Sequence, residues 1–203
     1  MKSIIESKSD CNIKINKETA HKFYSNFENN FIVLPDGKTI VGPDASESQN
    51  LMKEDISINN PTLIAEHWDT INTILYDPKT KNLFLGDDTK HVVQYKKEEK
   101  SDTFTFFKDY GDLNIGCVIS SAKVGDFAIF GGWNSHKIAA IDLNQNQLCE
   151  GTITTANEYI FSLQECRVSD SKTLLFVGGL NPSFSETTSD FYKLNLNPIK
   201  SKP

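Results

Sequence analysis

Thr39-Ile40-Val41-Gly42, Leu83-Phe84-Leu85-Gly86, Ala128-Ile129-Phe130-Gly131 and Leu175-Phe176-Val177-Gly178 are four short apolar stretches, each closed by a glycine. The glycines stand 44, 45 and 47 positions apart. Near-constant spacing of this kind marks a repeated structural unit. Upstream of each stretch lies a second apolar run: Phe31 to Leu34, Ile71 to Tyr76, Cys117 to Ile119 and Ile160 to Leu163. Between the two runs sit Pro35-Asp36-Gly37, Asp77-Pro78-Lys79-Thr80, Lys123 to Asp126 and Ser169-Asp170-Ser171. Gly, Pro and Asp there supply positive φ, a fixed φ or a side chain that caps the backbone, so each unit opens with a β-hairpin.

After each glycine comes a second turn, at Pro43-Asp44, Asp87-Asp88, Trp133-Asn134 and Asn181-Pro182. A third strand follows at His91 to Tyr95, Ile138 to Leu143 and Phe191 to Leu194, and is weak in the first unit at Asn50 to Met52. A fourth closes three of the units at Thr62 to Trp68, Thr103 to Lys108 and Leu148 to Thr154. Short apolar segments with frequent turns and little helical periodicity predict an all-β chain. Four strands in a unit of about 45 residues is the pattern of β-propeller blades.

The third strand Lys137-Ile138-Ala139-Ala140-Ile141-Asp142-Leu143 is similar to the third strand of a WD40 blade, and Tyr95 and Tyr192 fall near the same place in their units. On these residues the chain resembles the WD40-like β-propellers over residues 20–197. The resemblance implies four-stranded antiparallel blades at 29–69, 70–110, 113–156 and 158–197, with polar tails at 1–19 and 198–203. No Gly-His pair is present, and His67-Trp68-Asp69 reads as part of a fourth strand rather than a third, so no functional residue carries over. The last unit holds three strands, and residues 20–26 stand where its fourth would come from. Closure of a four-bladed ring by that strand, and membership in a larger ring, both fit the sequence.

The 203 residues are 38% hydrophobic and 24% charged, an ordinary globular composition. No apolar run approaches the ~20 residues that cross a bilayer, so no membrane insertion is expected. A net charge of −6 repels phosphate backbones, which argues against nucleic acid. The four cysteines form no C-x-x-C pair, the N-x-Ser/Thr triplets at Asn60 and Asn181 are blocked by proline, and no secretory leader opens the chain. These features predict a reducing, cytoplasmic setting.

The first strands, innermost in a propeller, carry Glu165 as their charged residue. Neither a pair of carboxylates nor a nucleophile beside a base stands among them, so no catalytic residue is expected. Ser120, Ser121 and Ser162 read as strand serines. His91 and His136 occupy equivalent positions, where the other units carry Glu47 and Ser183. They read as turn residues bonded to nearby backbone, with no metal and no cofactor expected. Gly131-Gly132 and Gly178-Gly179 read as turn glycines, and Lys96-Lys97, answered by Glu98-Glu99, as a solvated hairpin. Trp68, Tyr110, Trp133 and Phe184 map to loops of one face or their edges, the expected protein-binding surface. The expected role is a non-catalytic scaffold that holds partner proteins in a larger assembly. The alternative is a propeller that binds or processes a small ligand or glycan in its axial channel. Self-association is one way to complete a larger ring.

Overall fold

The computed structural model describes residues 31–55, 60–149, 153–155, 157–169, 172–181 and 186–193. They form four antiparallel sheets in chain order. The first holds β1 (Ile32–Val33), β2 (Thr39–Pro43), β3 (Asn50–Asp55) and β4 (Thr62–Glu66). The second holds β5 (Ile71–Asp77), β6 (Asn82–Asp87), β7 (His91–Lys97) and β8 (Phe104–Asp112). The third holds β9 (Cys117–Val124), β10 (Phe127–Trp133), β11 (Lys137–Asp142) and the short β12 (Gln147–Leu148) and β13 (Ile153–Thr154). The fourth holds β14 (Tyr159–Ser169), β15 (Lys172–Asn181) and β16 (Glu186–Lys193). Each sheet is a meander in which strands pair with their chain neighbours through short turns, except that β13 returns to β11 beside β12.

Consecutive sheets stack through three core clusters. Val41, Leu51 and Ile64 of the first sheet meet Ile74, Leu85 and Val93 of the second. Phe84 and Val92 meet Val118, Phe130 and Ile141 of the third. Ile129 and Ile138 meet Ile160, Leu175 and Val177 of the fourth. The alternation explains the continuous apolar stretches in the sequence: Leu83 and Leu85 face one neighbouring sheet and Phe84 the other, so neither face is free to be polar. Phe84 and Phe130, 1% and 0% exposed, each contribute about 1.5–3 kcal/mol by leaving water.

The repeat glycines have a different reason from the one their sequence suggests. Gly131 and Gly178 lie inside β10 and β15 rather than in turns, and Gly86 lies inside β6. A Cβ on Gly86 would stand 2.5 Å from Val118 Cγ1, and one on Gly131 would stand 2.5 Å from Ile160 Cγ2. Both positions are where the inner strand of the next sheet presses in. At Gly178 the nearest atoms belong to Phe176 and Ser162 of its own sheet.

Other expectations shift at the edges. The third strand of the first sheet is six residues long rather than weak, held by β2 and β4 on either side. The outer strand of the third sheet is split into β12 and β13, both paired to β11. His67-Trp68-Asp69 follows β4 instead of lying in it. The inner strands of the last three sheets run longer than expected and carry Asp77, Lys123 and Arg167 as well as Glu165, with Lys123 Nζ 3.9 Å from Asp77 Oδ1 across neighbouring strands. The proposed closing strand, 20–26, lies outside the described residues, as does Phe184.

Candidate functional site

Every sheet runs its first strand the same way, so the β2–β3, β6–β7 and β10–β11 turns share one end with the connections between sheets. Trp133 closes β10 at that end. A bulge between Gly131 and Gly132 re-aims the strand there. Gly132 and Gly116 make the seat: a Cβ on Gly132 would stand 1.7 Å from the Ile115 carbonyl oxygen, and one on Gly116, with φ +74°, 1.9 Å from that of Trp133. Backbone packed this closely fixes the indole's base. Its ring lies 4.7 Å from that of Tyr159 and 5.7 Å, nearly perpendicular, from that of Phe161, both on β14. Trp133 and Phe161 are nonetheless 46% and 51% exposed. Trp133 and Phe161, left in water beside the half-buried Tyr159, form an aromatic shelf.

Trp68, 53% exposed, sits elsewhere on this end, 4.4 Å from the His67 ring and 5.8 Å from that of Phe106. Tyr110 belongs to a different environment from the one expected. It lies within β8, packs on the core between the second and third sheets, and gives its hydroxyl to Gln94 and Asn146. Burial drives its pKa well above the ordinary tyrosine value. It is a joint between sheets rather than part of the shelf. Tyr159 and Phe161 were missed because β14 reads as an inner strand, with no sign that its start surfaces beside Trp133.

A buried network also escaped the sequence reading. His67 Nε2 lies 3.0 Å from Asp87 Oδ2, and its Nδ1 lies 2.9 Å from the Tyr95 hydroxyl. That hydroxyl stands 3.1 Å from the Glu66 carbonyl oxygen. Burial pushes the Asp87 carboxyl up, but hydrogen bonds from His67, Thr89 and the His91 amide outweigh it and leave the group below its usual range. The carboxylate can only accept, so Nε2 carries a hydrogen. Tyr95, pushed up to about 12 by burial and by Asp87, stays a phenol. The network ties the β6–β7 turn, β7 and the connection after β4 into one piece. His91 instead bonds Asp109 at 2.9 Å, a carboxylate rather than the expected backbone group. Among the described residues no three His, Cys, Asp or Glu gather as metal ligands.

Two concavities remain. Inner strands of all four sheets line a cavity of about 220 Å³ with Ile32, Thr73, Ser120, Ser121, Ser162 and Phe161 among its walls. Three of its four hydroxyls are engaged: Thr73 Oγ1 and Ser121 Oγ lie 2.8 Å apart, and Ser120 donates to the Ile160 carbonyl at 2.6 Å. None of its lining residues is charged. A cleft of about 830 Å³ at the other end mixes Lys81, Lys96 and Lys97 with Glu98, Glu99 and Phe107. Lys96 Nζ rests 3.2 Å over the Phe107 ring.

No protein-family model matches the chain, and no curated protein matches it in sequence. Solved structures do match. A luciferin-regenerating enzyme superposes with a TM-score of 0.65 at 11% identity, over 83% of this chain and 61% of that one. U3-55K gives 0.56 at 12% identity, over 79% and 50%. The WD40 repeats of RRP9 give 0.55 at 12%, over 79% and 49%. The chain thus spans about half to three-fifths of the structures it matches. At these identities the likeness is one of architecture: the fold is that of a WD40-like β-propeller.

Proposed function

We propose that this chain is a non-catalytic docking platform that holds partner proteins in a larger intracellular assembly. The observation that carries the reading is the exposed Trp133–Tyr159–Phe161 shelf on a rigid sheet end. Large aromatics left in water are the usual anchors of protein interfaces, and a few of them carry most of the binding energy. Rigid strands hold the rings in place before binding, so little side-chain entropy is lost on association. The test is a native pull-down with quantitative mass spectrometry, using the parent chain and Trp133→Ala. A defined set of proteins should be lost from the variant while its melting temperature holds. A parent chain that retains nothing above background, or a set that Trp133→Ala leaves intact, would overturn the reading.

A second reading, a small-ligand or glycan site in the axial cavity, rests on the hydroxyls of Thr73, Ser120, Ser121 and Ser162 there. Their side chains suit a neutral, hydroxyl-bearing molecule. Enzymatic processing has less support, because the lining lacks a general acid or base.

A further inference from the structure

We infer that the shelf receives a basic peptide segment, with a guanidinium or ammonium group stacked on Trp133 and neighbouring cations paired to carboxylates around it. This rests on the docking reading and names the partner's chemistry. The two ends of the sheets differ in charge. At the end carrying Trp133, the turns, connections and adjoining strand ends hold Asp44, Glu47, Asp69, Asp88, Asp112 and Glu158, against Lys90 and Lys137. Their hydrogen bonds are local: Ser46 caps Asp44, Asn72 donates to Asp88 at 2.6 Å, and the Asn114 amide donates to Asp112 at 2.7 Å. Among the described residues, no ion pair neutralises Asp88, Asp112 or Glu158. At the other end lysines balance the acids: Asp102 pairs with Lys53 and Lys97 and Asp126 with Lys79, and Lys38, Lys81 and Lys100 stand in the turns of that end with Asp36, Glu98 and Glu99.

Asp112 and Glu158 are the carboxylates that backbone contacts bring beside the shelf. The Ser135 amide donates to the Glu158 carbonyl at 3.1 Å, which joins the segment after Trp133 to the one before Tyr159. The Leu113 amide donates to the Lys90 carbonyl at 3.3 Å, and Gly116 lies against the Trp133 backbone. Exposed π faces attract cations, an indole most strongly. Carboxylates around such a face raise the local concentration of cations and steer them in. A neutral apolar partner would gain from the rings alone and leave the carboxylates unanswered. A cationic segment uses both.

The experiment uses the full chain with Trp68→Phe, which leaves Trp133 as the only tryptophan. It is titrated with a nonapeptide alternating arginine and glycine, and with a twin carrying citrulline, whose side chain has nearly the same shape and no charge. The arginine peptide should change Trp133 emission saturably, with affinity falling as salt rises. The citrulline twin should bind at least ~10-fold more weakly. Asp112→Asn with Glu158→Gln should cost several-fold in affinity and flatten the salt dependence, while circular dichroism melts stay at the parental temperature. Equal binding of the two peptides, a silent Trp133, or a salt dependence unchanged in the double variant overturns the inference. If partner capture depends on Trp133 while the arginine peptide fails to bind, docking stands and the cationic chemistry falls.

Discussion

His67 and Asp87 meet at 3.0 Å with both side chains wholly enclosed, joining the connection after one sheet to the end of β6 in the next. A buried pair of this kind is asymmetric in its energetics: its presence adds little over apolar packing, but removal of one partner strands the other. Asp87→Asn should therefore lower stability by roughly 3 kcal/mol. Urea midpoints would check it, and a loss below about 1 kcal/mol would show that the site repacks or hydrates.

Acid should weaken the protein through the same residue. Asp87 has a folded pKa below its unfolded value, so its contribution is full above the unfolded value and disappears as pH falls through the folded one. Asp36, held at about 2 by Thr39 and the Lys38 amide, titrates in the same direction on the surface. Stability should fall between about pH 4 and pH 2, and more shallowly in Asp87→Asn. A parallel decline in both proteins would remove Asp87 from the account.

At the alkaline side the sign reverses. Tyr95 is raised to about 12 and Tyr110 is raised as well, so each favours the fold while protonated, fully below the free tyrosine value and less as pH climbs. Unfolding should grow easier from about pH 10 upward. In Tyr95→Phe that slope should lessen, at the cost of a hydrogen bond worth about 1 kcal/mol at neutral pH. Denaturant curves at several pH values read both effects.

Trp68→Ala should separate a surface ring from a structural one. The indole covers His67 and touches Phe106 while more than half of it stays in water. Loss of those ring contacts predicts a decrease of about 0.5–1.5 kcal/mol. A fall as large as that of Asp87→Asn would mean that the ring seals the His67 network against water.

Gly131→Ala should destabilise by about 1–3 kcal/mol, because the added methyl meets Ile160 at van der Waals overlap. Ile160→Ala, which removes the clashing Cγ2 methyl, should recover part of it in the same protein. The pair forms a double-mutant cycle, and strict additivity would refute direct contact.

The sheets were legible in the chain because a repeated contact leaves a repeated residue. Wherever an inner strand presses on its neighbour, as Val118 does on Gly86, the sequence shows glycine after an apolar stretch. The His67–Asp87–Tyr95 network was hidden for the opposite reason. Its members come from a connection, a turn and a strand, 20 and 28 positions apart from His67, and no short motif gathers them. The available signal was Asp87 directly after the repeat glycine, with Tyr95 in the following strand and a histidine before the sheet begins. One ring of the three in the shelf was legible, since Trp133 stands out in a turn. Tyr159 and Phe161 were not, because a strand's alternation fixes the face a side chain takes but not whether the adjoining strand stops short of it.

The glycine joints bear on geometry as well as on packing. Val118 and Ile160 enter where Gly86 and Gly131 offer only hydrogen, so the inner parts of adjoining sheets can draw together, while Phe106 and Leu148 on the outer strands stay exposed. Each sheet then acts as a keystone, and the taper of each keystone depends on the combined volume of two side chains. Trading bulk across such a joint would open or tighten the curvature of the arc without disturbing a ladder within any sheet. The number of sheets that fit around an axis is, in that sense, a quantity that a pair of substitutions can tune.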